Sequence, residues 1–398
     1  MSRDRGHFSE RRNSPLLYGK GQRFPTECRK FVDEATGATV HQITQHPCIS
    51  HNLYFLNCSF TPDSQRVIFT SYRDGEPNLY EAGFPDGQIQ QLTEGAGLHP
   101  FSACLSHSGE FLFFTRAGSI WKLDRQSLEE CSLASFESAQ LGECNLSTSG
   151  DWLVTAIKQN GQSGIALART DGRECRVLLR WPRTIIHPQF HPMDDQLIEF
   201  SSDPAPRMHL LNRESGKVEC LYDHGNDEFI VHETFLGSTG DLVFTVWPFS
   251  LKRFDLKTRQ IQEIAHFNAW HIAPDGAGKR ILCDTNHPDA GIQIVDVATG
   301  ERHAVCHPKS SSQGSQWKTS RYALAEDWAR AAEQQSQERK QSLSWMEMKT
   351  DTIYGPQWTH PHPSWSPDER RIVYTSDVSG FPQVYVAEVG GNGVNDVG

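Results

Sequence analysis

No stretch of this 398-residue chain approaches the roughly 18 consecutive apolar residues of a membrane-crossing helix. Its opening, MSRDRGHFSERRNSPLLYGKG, is polar and charged and holds no apolar leader segment. The expectation is a cytoplasmic chain with no membrane partner. Basic residues are the minority, 38 Lys and Arg against 49 Asp and Glu, for a net charge of −11. That balance argues against a nucleic-acid binder, which would need a basic surface to neutralise phosphates. The ten cysteines stand singly with no CxxC pair. They fit small buried thiols better than a disulfide framework or a zinc ribbon, and no function is assigned to them. No GxSxG, GxxxxGK[ST], HExxH or GxGxxG stands in a suitable strand and helix context, so serine-hydrolase, P-loop, zincin and dinucleotide readings have no support. His232-Glu233-Thr234-Phe235 lacks the second histidine of a zincin.

What the chain does have is repetition. A turn followed by an apolar β-rich run recurs seven times, as TPDSQRVIFTS (61–71), SHSGEFLFFT (106–115), STSGDWLVTA (147–156), HPMDDQLIEFS (191–201), GSTGDLVFTV (237–246), DGAGKRILCD (275–284) and SPDERRIVYTS (366–376). The turns stand roughly 40–46 residues apart except before the last, a period that belongs to β-propellers. The expected fold is all-β, a seven-bladed β-propeller over 31–389, with residues 1–30 a mobile segment and 390–398 a tail. Residues 38–44 form an orphan strand whose pairing with the short last unit would close the ring and remove exposed sheet edges. The doubled last gap holds an insertion, 307–356. Within it, 321–341 lacks Gly and Pro and sets Leu324, Trp328, Ala331 and Ala332 on one stripe, so the expectation is a helical insertion before the last blade and a candidate lid.

Eighteen histidines are many for this length, and four share a register. His187 and His232 each stand seven residues before the turn residues Asp194 and Thr239, and His271 and His362 each stand six before Ala277 and Asp368. In a propeller the strand entering each turn is innermost, so four neighbouring blades each aim an imidazole at one mouth of the channel. The sharpest local motif is QWTHPHPSWSPD (357–368). Read as a strand, it puts His360 and His362 on one face, and with Gln357 and His271 it makes a divalent site with open positions. Imidazole and oxygen without thiolate suit manganese, iron or zinc. Arg207 at a strand start presents a fork that matches a carboxylate. His232 and His187 are both suitable general bases.

These stretches carry a resemblance. VHQITQHPCISHNLYFLNCSFTPDS (40–64), QLTEG (91–95), RMHLLN (207–212), HETF, AWHIAP (269–274) and above all QWTHPHPSWSPDERRIVYTSDVSG (357–380) are similar to the oligogalacturonate lyases, seven-bladed propeller enzymes of pectin breakdown. The resemblance implies a divalent metal, usually Mn2+, on His271, Gln357, His360 and His362, with His232 as base and Arg207 as the essential arginine. It implies β-elimination on a small oligouronide, with His51, Asn52 and His187 near the substrate. His266 competes with His271 for its place. Two alternatives stand beside this reading: a lyase for another uronate linkage, such as glucuronate next to rhamnose, and a non-catalytic TolB-like binding propeller.

Overall fold

The computed structural model describes residues 18–85, 87–225, 227–318, 326, 329–330 and 353–390. Among them, seven antiparallel sheets of four or five strands follow one another along the chain, a seven-bladed β-propeller. Their innermost strands are Ser50–Asn52, Cys104–Leu105, Asn145–Leu146, Thr184–His191, Ile230–Phe235, Ala269–Pro274 and Ser364–Trp365. Each second strand is one of the repeated apolar runs, for example Leu242–Val246 and Arg371–Ser376.

The runs are apolar on both faces because each blade is covered on both faces by its neighbours. All five residues of Leu242–Val246 are buried, whereas the outer strand Cys175–Trp181 is largely exposed or half-buried. The core is thus a set of interfaces between blades. Val67, Phe69 and Tyr80 of the first blade pack with Val373, Val384 and Val386 of the last. Trp365 Nε1 donates to the Ala273 carbonyl at 2.9 Å across the preceding interface.

Thr39–Gln42 closes the ring by pairing with Gln383–Glu388, Val40 opposite Ala387 and Gln42 opposite Tyr385. Arg29–Val32 continues the same sheet outward. This differs from the expectation of a mobile segment through residue 30. Arg23–Phe24 adds a fifth strand to the first blade, Arg23 opposite Gln90, and the Gly21 N–H donates to the Gln91 carbonyl at 2.8 Å. These backbone bonds give residues 18–30 partners that a polar composition does not reveal. The helix expected over 321–341 lies almost wholly outside the described residues, as do residues 1–17 and 391–398. A second difference concerns QWTHPHP. Gln357–Thr359 is a single 3-10 turn and the strand begins only at Ser364, so alternation along a strand is not what brings His360 and His362 together.

Candidate active site

Three adjacent inner strands break their pairing where a histidine sits. The register shifts between Ile186 and Gln189, between Val231 and Thr234, and between Ala269 and Ile272, gaps that contain His187, His232 and His271. A bulge of this kind bends the strand and re-aims a side chain. His187 and His232 take the left-handed backbone at φ 54° and 58°, and His362 does so at φ 44° in the next blade. Such a conformation costs a non-glycine residue about 1–3 kcal/mol, and it persists where surrounding structure enforces it, most often at functional sites.

The four imidazoles surround one side chain. Phe55 has its ring centre 6.0 Å from His187, 5.3 Å from His232, 5.4 Å from His271 and 6.5 Å from His362. Beside it Tyr54 packs on His362 at 5.0 Å and places its hydroxyl 3.0 Å from His187 Nε2. Exposure divides the cluster into two layers. His187, His232, Tyr54 and Arg207 keep 7–8% of their surface accessible, while His271, His360 and His362 keep 0–1%. Solvent therefore meets the first group, with the second beneath.

Burial sets the charge state. It pushes His187 and His360 down to about 4 and holds His232, His271 and His362 well below the ordinary imidazole value, neighbouring imidazoles adding to the effect on the last three. All five are neutral near pH 7 and hold a lone pair.

The deeper layer has the geometry of a cation site. His271 gives its Nδ1 to Asp284 Oδ2 at 2.8 Å, leaving Nε2 free, the arrangement in which a carboxylate orients a ligating histidine. His360 Nε2 donates to the Tyr354 carbonyl at 2.7 Å, which makes its Nδ1 a bare lone pair, buried and without a partner. His362 Nε2 and Gln357 Oε1 are 3.2 Å apart, close to the roughly 3 Å between adjacent ligand atoms of an octahedral ion. The three ring centres are 3.9, 5.6 and 5.9 Å apart, inside the limit of about 6.6 Å for imidazoles sharing one ion at about 2.1 Å. Donor types and spacing fit a divalent ion. The chelate is not closed in these rotamers, for among the described residues no three His, Cys, Asp or Glu side chains are set to hold a metal. His266, the competitor of His271, lies apart from this buried layer: its side chain is 72% exposed, and among the described residues its ion pair is with Glu263 at 3.8 Å.

Arg207 lies beside the base candidate. Its Nε and Nη2 donate to Glu233 at 2.8 and 3.2 Å, and Nη1 donates to Asp203. Glu233 is wholly buried, and Arg207 holds its carboxyl down at about 2 against the upward push of burial. Three of five guanidinium N–H groups are thus committed to the protein, and two remain for an anion.

Comparison with known proteins decides the family. A family model described as oligogalacturonate lyase matches residues 18–156 and 324–392, more than half of the chain. The chain belongs to the oligogalacturonate lyase family. Two relatives agree in length as well as sequence. The oligogalacturonate lyase of Dickeya dadantii (strain 3937) is 23% identical over 93% of this chain and 98% of its own. The oligogalacturonide lyase of Pectobacterium atrosepticum is 21% identical with the same coverage. Among solved structures, an oligogalacturonate lyase in complex with manganese superposes at TM-score 0.78 with 21% identity, over 94% of this chain and 99% of its own. The oligogalacturonate lyase of Vibrio parahaemolyticus superposes at 0.75 with 20% identity over the same shares.

In this oligogalacturonate lyase family member the fold brings His187, His232, Arg207, His271, Gln357, His360 and His362 to one mouth. Asn52 has a different task from the substrate contact expected of it. Its amide donates to the His362 and Leu53 carbonyls at 2.7 and 3.0 Å and accepts from Thr375 at 2.5 Å, so it fixes the backbone that carries His362. His51 stacks on Phe101 at 4.2 Å and gives its Nδ1 to the Asn52 carbonyl. Residues that the sequence reading passed over are Tyr54, Phe55, Asp284 and Glu233. Only Tyr54-Phe55, a bulky pair just after the short strand Ser50–Asn52, left a visible trace.

The buried His51 gives a pH prediction. Burial holds it at about 4 when folded, against 6.5 when free. Between those values the unfolded chain takes up a proton that the folded chain refuses, so this site's contribution is intact above pH 6.5 and lost as pH falls toward 4. His51→Phe removes that loss and keeps the stack on Phe101. Its stability relative to wild type should rise by about 3 kcal/mol between pH 7 and pH 4, measured by urea melts at both pH values. A constant difference would show that folding leaves the protonation equilibrium of His51 unchanged.

Proposed function

We propose that this chain cleaves short oligogalacturonides by β-elimination, and that His232 is the base. The observation that carries the reading is the layering of the mouth: a neutral, solvent-reachable imidazole and a guanidinium stand over three buried imidazoles and an amide oxygen with the spacing of a cation site.

A 4-linked uronate loses its C5 proton reluctantly because the adjacent carboxylate already carries negative charge. The two free N–H groups of Arg207 bind that carboxylate and withdraw charge from it, and the Glu233 and Asp203 carboxylates lock the fork in place. His271, Gln357, His360 and His362 would hold a divalent ion, Mn2+ in this proposal, which when bound supplies further positive charge beside the carboxylate. His232 enters neutral and takes the C5 proton. As the C4=C5 double bond forms, the C4–O4 bond breaks and the leaving sugar departs with its electron pair. The unsaturated uronate then rearranges to a 4-deoxy-5-keto product.

A panel of di- and trigalacturonate beside rhamnosyl-(1→4)-glucuronate, which also carries its leaving sugar at O4 of the uronate, tests the assignment, read as unsaturated uronate released per enzyme. Galacturonides should be cleaved and the rhamnose-linked uronide left intact. The reverse preference would keep the chemistry and overturn the substrate.

A further inference from the structure

The elimination leaves one proton unaccounted for, because the departing O4 is a poor leaving group unless it is protonated as the C–O bond breaks. We infer that Tyr54 is the acid that protonates O4, held and oriented by His187. This deepens the lyase reading and rests on it.

His187 holds the hydroxyl of Tyr54 in place. Its Nε2 is 3.0 Å from the Tyr54 hydroxyl, and its Nδ1 is buried with no partner. One of the two nitrogens carries the hydrogen of the neutral ring. Placing it on Nδ1 would strand a buried N–H, the rarer and costlier defect, whereas a bare Nδ1 lone pair is tolerated more easily. In the proposed arrangement the hydrogen sits on Nε2 and is donated to Tyr54 Oη, so that the unpaired donor is the phenol O–H of a side chain that still reaches the mouth instead of the buried Nδ1. That uses an oxygen lone pair and leaves the phenol's own O–H without a protein acceptor on His187, pointing its proton elsewhere. The left-handed backbone of His187 at φ 54° and the strand bulge around it hold the imidazole where it meets Tyr54. A conformation that costs energy is being used here to orient a hydrogen bond rather than to fill the core.

Placement also separates acid from base. Tyr54 packs on the His187 and His362 side of the mouth, at 5.2 and 5.0 Å between ring centres. His232 packs on Trp270 and His271, at 4.5 and 4.4 Å. Both reach solvent while the layer below does not. The proton balance then closes. His232 gains the C5 proton, O4 gains the Tyr54 proton, and the tyrosinate formed is stabilised by His187 Nε2–H until solvent returns both centres to their starting state.

The test is a leaving-group comparison. Tyr54→Phe keeps the ring and its packing and removes only the hydroxyl. With digalacturonate, kcat should fall by about 10²–10⁴-fold. With a galacturonate carrying 4-nitrophenol at O4, whose phenolate needs no proton to depart, the fall should be under about tenfold. Equal losses on both substrates, or no loss on digalacturonate, overturn the assignment. A second readout covers an aryl uronide that does not enter the site. In heavy water, Tyr54→Phe should build up deuterium at C5 of recovered digalacturonate above the wild-type level, because His232 still removes the proton while departure stalls. Loss of exchange together with elimination would place Tyr54 in the base step and overturn it. Wild-type protein inert on every uronide overturns the lyase reading itself, whereas active wild type with an unchanged variant overturns only Tyr54.

Discussion

His232→Ala should leave the propeller folded and lower kcat/KM on digalacturonate by at least about 10³-fold, close to 4 kcal/mol of transition-state stabilisation. The imidazole is neutral because burial and the neighbouring His271 and His187 oppose its charging, so it is ready to accept a proton near pH 7. The substitution removes the proton acceptor and leaves the Arg207–Glu233 pair in place, since Glu233 is fixed by Arg207 and by Ser201 at 2.9 Å. The loss should therefore fall on kcat with little change in KM. Single-turnover kinetics and ligand binding on a variant with wild-type circular dichroism check this. A variant within about tenfold of wild type would move the base to another residue, His187 being nearest in register.

The second large effect concerns the buried layer. His360→Ala and His362→Ala each remove one of three imidazoles whose ring centres lie within 5.9 Å of one another. With fewer than three nitrogen donors, affinity for a borderline cation should fall by two orders of magnitude or more, and turnover with it. Metal per protein after dialysis against limiting manganese, read by elemental analysis, separates this from His232→Ala, which should keep its metal. Since both residues are fully buried, each variant should also lose about 1–3 kcal/mol of stability to the cavity. Normal metal content in the double variant would remove these residues from the site.

Much of this was legible in sequence, and the reason is geometric. A propeller blade buries its second strand on both faces, so seven turn-plus-apolar runs stood out at one period, and counting back from each turn found the inner strand. His187, His232, His271 and His362 were legible for that reason: standing six or seven residues before the turn brings all four to one mouth of the channel. The bulges and left-handed backbone that aim His187, His232 and His362 were not legible, because no local sequence preference demands φ > 0 at a histidine. His360 and His362 meet through a 3-10 turn and a left-handed residue instead of along a strand, so the right pair was found by an argument the structure does not support. Asp284 and Glu233 act only through partners that the fold delivers, His271 thirteen residues away and Arg207 twenty-six. Tyr54 and Phe55 carry no motif of their own, and only their position against the histidine cluster gives them a meaning. The two-residue strand Arg23–Phe24 is likewise created by its partner edge.

The central claim is that a divalent cation and one imidazole together eliminate across C4–C5 of a galacturonide. Its most direct test is release of unsaturated uronate from digalacturonate by purified protein, followed as made, after chelator, and after adding manganese back. The account predicts product, its loss with chelator, and its return with manganese. Cleavage that continues undiminished in chelator, from protein shown to be free of metal, would contradict it.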